Sequence, residues 1–154
     1  MTFGELKRQI QSLGFADTSD ITTYKEIIID ASNRAINMVL KDVVSQAEGY
    51  FTALLSGQDD FTVPVGNIKV SFNNDTWHIP KGNQITDATL DTYVIDVPDK
   101  VIDLVPLLAS HYVWLDDDAV KSLYYYNEYD DFKNALLTDM LRPRDLVFSG
   151  GLRW

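Results

Sequence analysis

The chain contains no cysteine, and its two histidines, His78 and His111, are far apart in the sequence. The missing thiols exclude disulfide bonds, thiolate metal sites and cysteine nucleophiles. Neither histidine belongs to a His-Glu-x-x-His motif, and the phosphate-loop, dinucleotide-binding and Gly-x-Ser-x-Gly motifs are missing too. We therefore expect no enzyme activity, no cofactor and no metal site. The alternative is a metal-dependent enzyme in which His78 or His111 joins Asp116 or Asp118.

Long hydrophobic runs and basic residues are also scarce. No apolar run approaches the roughly 20 residues of a membrane-spanning helix, so we expect no membrane partner. Thirteen lysines and arginines stand against 23 aspartates and glutamates, which gives a net charge of −10 over 154 residues. This excess of negative charge argues against a nucleic-acid-binding surface, because phosphate binding needs clustered cations. The length suits a single domain, predicted over residues 1–141.

Helical periodicity predicts four helices, at about residues 2–13, 23–48, 103–115 and 119–141. Thr2 with Glu5, and Thr23 with Glu26, have the spacing of capping boxes. Asp116–Asp118 is interpreted as the N-terminal cap of the last helix. The predicted core faces are Phe3, Leu6, Ile10 and Leu13; then Tyr24, Ile27, Ile28, Ala31, Ala35, Met38 and Val39; then Val105, Leu108, Ala109, Tyr112 and Val113; and finally Tyr125, Tyr129, Phe132, Leu136 and Met140.

Residues 50–97 change to the alternation that is typical of short strands. Apolar positions alternate from Phe61 to Ile79 and again from Tyr93 to Val97, with turn residues at Gly66-Asn67 and at 73–75. Tyr50–Leu55 fits either a strand or a helix end. The predicted fold class is α+β: a small bundle of about four helices with an inserted antiparallel β-meander and an extended C-terminal arm.

The arm, residues 142–154, differs in composition from the rest of the chain. Its charged residues are three arginines and one aspartate, and it carries five large apolar side chains. Pro143 and the pair Gly150-Gly151 oppose a continuation of the helix. Such a segment either orders on a neighbouring subunit or folds back over its own core, and the composition favours neither.

Three consecutive tyrosines, Tyr124–Tyr126, lie in the last predicted helix. One helix cannot direct three successive side chains inward, so at least one ring is expected to be exposed or to meet another chain. Tyr124 and Tyr126 are therefore candidates for inter-subunit contacts, because tyrosine is enriched at protein interfaces.

Three passages together resemble the head-to-tail adaptor, or connector, proteins of tailed bacteriophages. The first is Phe3-x-x-Leu6 followed by the helix containing Ile28, Ala31, Asn33 and Ala35. The second is the extended-to-helical junction 97–109, which begins Val97-Pro98. The third is the acidic break 116–118 followed by Tyr-Asn-Glu-Tyr at 126–129 and by Leu136. The likeness spans most of the chain in order, although each motif is short.

The resemblance implies a structural virion protein without enzymatic activity. Such proteins form a ring, usually dodecameric, that binds the portal of the DNA-filled capsid and receives a tail or tail-completion protein. The implied location is the neck of the virion, after assembly in the host cytoplasm. DNA would pass through the ring without specific binding.

The resemblance also assigns candidate residues. The arm would contact the portal, through Arg142, Arg144, Leu146, Phe148, Arg153 and Trp154. Asp59, Asp60 and Asp75 are candidates for acids that face the channel and keep DNA from adhering; the alternative is that the acidity serves solubility. Rival interpretations of the whole chain are another neck or tail-completion protein, and a small ligand-binding module that uses Trp77 and Tyr93 as a stacking platform.

Overall fold

The computed structural model describes residues 1–15, 23–44, 46–47, 69–70, 77–78 and 83–141. Most of these residues lie in four α-helices: α1 (Phe3–Ser12), α2 (Lys25–Val39), α3 (Leu104–Trp114) and α4 (Ala119–Met140). A π-helical segment, Leu40–Val44, continues α2. The four helices thus lie where periodicity predicted them, except that the second leaves regular α-helical geometry after Val39, well before residue 48.

The predicted α+β class with a β-meander is wrong, because the described part of the chain is helical. Its strand pairing consists of one two-residue antiparallel ladder, β1 (Lys69–Val70) with β2 (Trp77–His78), and an isolated bridge between Thr2 and Val94. Most of residues 50–82, including Tyr50–Leu55, lie outside the described residues.

The predicted strand from Tyr93 to Val97 is instead an irregular segment that crosses the beginning of α1. The backbone N–H of Phe3 donates to the Tyr93 carbonyl at 2.8 Å, and that of Gly4 donates to the Asp91 carbonyl at 2.9 Å. These are donors of the first helical turn, which have no partner inside a helix. Ile95 and Val97 are buried as the alternation suggested. The alternating pattern therefore predicted the buried side chains of this segment correctly. It did not predict that the backbone carbonyls of the segment accept hydrogen bonds from α1.

The helix ends confirm two of the three predicted caps. Thr2 and Glu5 form a complete capping box at α1, and the Asp118 carboxylate accepts the Lys121 N–H at 3.0 Å at the start of α4. The Thr23–Glu26 cap is wrong, since the N-cap of α2 is Tyr24 and no side-chain bond caps it.

Helix α3 is the centre of the core. It packs against α1, α2 and α4, whereas α4 makes no extensive contact with α1 or α2. This position explains why α3 is apolar on nearly every side, with buried residues from Leu104 to Trp114. The prediction of core positions was wrong for two residues: Ile27 on α2 is 45% exposed and Phe132 on α4 is 37% exposed. Met140 and Tyr129, in contrast, are buried as predicted.

Candidate interaction surfaces

An apolar and acidic stripe runs along the outer face of α4. Its members recur at helical spacing and are all exposed: Val120, Leu123, Tyr124, Asn127, Glu128 and Asp131, here called the α4 ridge. Val120 is 82% exposed, and Leu123 and Tyr124 are each 58% exposed. Single exposed apolar residues are ordinary, but a contiguous apolar patch with a polar rim is typical of an interaction site.

The three consecutive tyrosines divide as helical geometry requires. Tyr125 is buried, while Tyr124 and Tyr126 are exposed. Tyr124 lies on the α4 ridge. Tyr126 lies beside it and packs against His111, with 5.1 Å between ring centroids. The expectation that at least one ring is exposed is confirmed, and contact with another subunit stays a prediction.

His111 connects α3 to α4 through Ser122. Its Nδ1 lies 2.8 Å from Ser122 Oγ and 3.0 Å from the Ser122 carbonyl oxygen, while Ser122 Oγ donates to the His111 carbonyl at 2.9 Å. Since the hydroxyl proton is used in that last bond, the Nδ1 position must carry a proton for the other two contacts. His111 therefore links α3 to α4 through hydrogen bonds, which is a structural role.

The described residues contain no cluster of three or more histidine, aspartate or glutamate side chains able to hold a metal ion. Asp118, one of the aspartates named for such a site, is occupied as a helix cap. Asp117 accepts a hydrogen bond from the Tyr24 hydroxyl at 2.8 Å. The side chain of His78 lies outside the described residues.

An aromatic cluster closes the core where α1, α2 and α3 meet. Phe15 lies 5.2 Å from Tyr24 and 4.9 Å from Trp114, measured between ring centroids. Lys121 Nζ sits 4.0 Å above the Trp114 ring and donates to the Gly14 carbonyl at 3.0 Å. A β-carbon on Gly14 would collide with the Trp114 indole, including its Cε2 at 2.9 Å. Gly14, predicted only as the end of α1, therefore also makes room for this ring.

Asn33 fixes the segment after residue 82 onto α2. Its Nδ2 donates to the Ile85 carbonyl at 2.7 Å, and its Oδ1 accepts the Ile85 N–H at 3.0 Å. Asn33 is 3% exposed and Ile85 is 1% exposed. The sequence marked Asn33 only through the family motif, and periodicity alone gave no reason for a buried amide at this position.

Beyond Ile85, a groove opens between α1, α2 and the turn Thr86–Asp91. Its apolar lining is Phe3, Ile28 and Ile29, its charged lining is Lys7, Lys25, Asp87 and Asp91, and its volume is about 350 Å³; we call it the α1–α2 groove. A second concavity of about 540 Å³ adjoins it at Lys7 and Asp91 and extends along α1 to Gln11. Sequence reasoning missed both, because three segments distant in the chain line them.

The charges at this groove are partly paired. Lys7 forms an ion pair with Asp91 at 2.5 Å, and its ammonium lies 4.8 Å from the centre of the Phe3 ring. Lys25 and Arg8 are exposed, and Arg8 has a favourable electrostatic interaction with the Glu5 carboxylate. Asp87 also lines the groove, so its charged lining consists of two lysines and two aspartates and is not basic overall.

Burial raises the pKa of several tyrosines that pack against the core. Burial, assisted by Asp42, raises the pKa of Tyr129 from 10.0 to about 12. Burial also raises the pKa of Tyr112, although the Arg34 guanidinium, 4.1 Å from its ring centre, acts in the opposite direction. The pKa of Tyr93 is raised by burial and by Asp96. Its hydroxyl donates to Gln84 Oε1 at 3.3 Å, so this half-buried ring is held against the domain.

The remaining predicted site residues lie outside the described residues: Arg142, Arg144, Leu146, Phe148, Arg153 and Trp154 of the arm, the candidate channel acids Asp59, Asp60 and Asp75, and the Trp77 side chain. Their roles stay predictions. Within the described ranges, no helix combines the length and apolar character needed to cross a bilayer. The chain matches no protein-family model, no curated protein and no solved structure at a significant level.

Proposed function

We propose that this protein is a structural subunit of a ring that joins the portal of a tailed-bacteriophage capsid to the tail. The observation that carries the proposal is the α4 ridge, where Val120, Leu123 and Tyr124 present a contiguous apolar patch to solvent. A domain that functions alone gains nothing by exposing such a patch, whereas a ring subunit covers it with a neighbour.

The order of the elements supports the same proposal. A short capped helix, a second helix containing Asn33, a proline-containing junction, a third helix and a long last helix follow one another as the family resemblance implies. Asn33 and Pro98, two of the residues that carry the resemblance, are both buried. They therefore serve the architecture of the domain rather than a chemical site.

The charge of the subunit fits a channel for DNA. A ring multiplies the net charge of −10 by its copy number, and a negatively charged surface repels the phosphate backbone. DNA would then pass without adhering. In this proposal the basic C-terminal arm is the portal-binding segment, with Arg142 and Arg144 pairing with acidic groups and Phe148 and Trp154 filling apolar pockets. Arginine and tryptophan are frequent energetic anchors of interfaces.

The test is portal docking by a truncated chain. Deletion of Ser149–Trp154 is expected to abolish binding to the portal protein of the same viral genome, measured by mass photometry, while far-UV circular dichroism and the melting temperature stay unchanged. A matched variant with Arg142 and Arg144 replaced by lysine keeps the charge, and it is expected to retain part of the binding because only bidentate pairing is lost. Portal binding by the truncated chain at full strength would refute the role of the arm.

A further inference from the structure

The exposed face of α4 that contains the α4 ridge continues to the end of the helix. Beyond the ridge, the next positions at helical spacing are also exposed: Asn134, Ala135 and Thr138. Arg142, the first residue of the arm, follows Thr138 by one helical turn, so the arm begins beside this face. Pro143 opposes a continuation of the helix. A chain that turns back after α4 therefore meets the exposed face that leads to the ridge.

The length of the arm matches the length of this face. From Thr138 back to Tyr124, the helix rises about 21 Å. An extended chain covers about 3.3 Å per residue, so the stretch from Arg142 to Phe148 covers about 20 Å. Phe148 can therefore reach the apolar part of the ridge, where Leu123 and Tyr124 are each 58% exposed.

The sequence of the arm gives one side of an extended chain a chemistry that fits the ridge. In extended backbone, side chains at alternate positions share a face. Arg144, Leu146 and Phe148 would then lie on one side, and Asp145 on the other. From the end of α4 backward, the exposed face presents first the acidic and then the apolar part of the ridge. The arm presents its cation and its apolar side chains in the same order.

The acidic residues of the ridge have no cationic partners of their own. Glu128 and Asp131 are exposed, and neither forms an ion pair with another of the described residues. Lys133, the lysine nearest to them in sequence, pairs with Asp130 at 2.9 Å. The arm carries three arginines against one aspartate, so its charge is opposite to that of the ridge.

We propose that, in the free subunit, residues 142–148 of the arm dock along the α4 ridge of the same chain. Arg144 pairs with Asp131, and Phe148 packs against Tyr124. Because the arm is joined directly to α4, its effective concentration at the ridge is on the order of 1 mM, and a weak contact is sufficient to keep it docked. The arm of a second copy reaches such a concentration only in a concentrated solution.

This contact connects the arm to the control of ring assembly. Arg144 and Phe148 are also among the residues proposed to bind the portal, and they cannot occupy both sites at once. Portal binding would uncover the ridge and make it available to a neighbouring subunit. This consequence rests on the proposed function, whereas the docking of the arm in the free subunit does not.

Paramagnetic relaxation measures the docking. The chain has no cysteine, so Ser149→Cys provides a single site for a nitroxide label, directly after Phe148 in the full-length chain. In the ¹⁵N-enriched labelled protein without portal, the amides of Tyr124 and Asn127 are expected to lose most of their intensity. An arm that does not dock would instead affect the end of α4 most, because its attachment point is there. A mixture of labelled unenriched chains with unlabelled enriched chains is expected to show no loss.

Substitutions then test which side chains hold the arm. Phe148→Ala in the labelled chain is expected to shift the docking equilibrium about tenfold toward the undocked arm, as for a central aromatic anchor. Arg144→Glu is expected to weaken docking most at low ionic strength, where repulsion from Asp131 is least screened. Asp131→Arg in the same chain is expected to restore it. Arg153→Glu makes the same charge change outside residues 142–148 and serves as the matched control, with intensities expected to stay unchanged.

Three outcomes would overturn the inference. Greatest intensity loss at Leu137–Met140 in the labelled parent chain indicates that the arm does not dock on the ridge. Loss in the mixed sample indicates that the arm of a second copy docks there. Intensities that Phe148→Ala leaves unchanged indicate a contact through other residues. Portal binding is tested separately by deletion of Ser149–Trp154, which keeps Arg144 and Phe148, so either proposal can fail without the other.

Discussion

Replacing Asn33 with alanine removes both hydrogen bonds that hold the backbone of Ile85. The bonds measure 2.7 Å and 3.0 Å, and Ile85 is 1% exposed, so water does not replace the amide without opening the structure. An unsatisfied buried backbone group costs about 1–3 kcal/mol. With two such groups, we expect the free energy of unfolding to fall by about 2–6 kcal/mol.

Urea denaturation measures this loss, and hydrogen exchange locates it. The Ile85 amide is expected to lose protection more strongly than the amides of α3, because the segment that begins at Ile85 detaches from α2 first. That segment continues into the turn Thr86–Asp91, which forms one wall of the α1–α2 groove.

Asn37→Ala is the matched control. Asn37 lies one turn further along α2, and its Nδ2 donates to Asn83 Oδ1 at 3.4 Å in an exposed position. A loss below about 0.5 kcal/mol is expected there, as for most surface substitutions. If Asn33→Ala lowers the free energy of unfolding by less than about 1 kcal/mol and the Ile85 amide stays protected, the two hydrogen bonds of Asn33 do not hold this segment.

Three further predictions concern stability. Gly14→Ala should lower the free energy of unfolding by about 1–3 kcal/mol because its β-carbon strikes Trp114; Trp114→Phe in the same chain should recover part of the loss in urea denaturation, and no recovery would contradict the steric explanation. Asp118→Ala should cost about 1 kcal/mol through the lost cap of α4, whereas Asp118→Asn should cost much less. The raised pKa of Tyr129 means that the unfolded chain releases this proton first, so its stabilisation is complete below pH 10 and is lost as the pH rises from 10.0 toward about 12. Melting curves between pH 8 and 12 should show about 1–2 kcal/mol less alkaline loss for Tyr129→Phe than for the unmodified chain, and identical losses would refute the assignment.

The α4 helix shows how far periodicity extends. Its sequence carries apolar residues on two faces, one through Tyr125, Tyr129 and Met140 and another through Val120, Leu123 and Tyr124. The first face was predicted to be core; Tyr125, Tyr129 and Met140 are buried, Leu136 is partly buried and Phe132 is exposed. Of the second face, only Tyr124 was singled out beforehand. The spacing is helical for both, so spacing alone does not distinguish a core face from an exposed one.

The β prediction failed for a related reason. Alternation at Tyr93, Ile95 and Val97 follows from a segment whose alternate side chains face the core, and this pattern is common to strands and to other extended segments. Whether the backbone pairs with another strand depends on its neighbour. Here the neighbour is the start of α1, whose first N–H groups donate hydrogen bonds to the Asp91 and Tyr93 carbonyls.

The sequence by itself determined the local conformations: four helices, the caps at Thr2 and Asp118, and most of the residues that each helix buries. These depend on interactions between residues a few positions apart, which a linear pattern contains. Only the tertiary structure decided that Asn33 binds the backbone of Ile85, that Gly14 makes room for Trp114, and that the α1–α2 groove forms between segments distant in the sequence. Those features join residues up to 100 positions apart, as in Gly14 and Trp114, and their energies depend on which surfaces meet rather than on which residues follow one another.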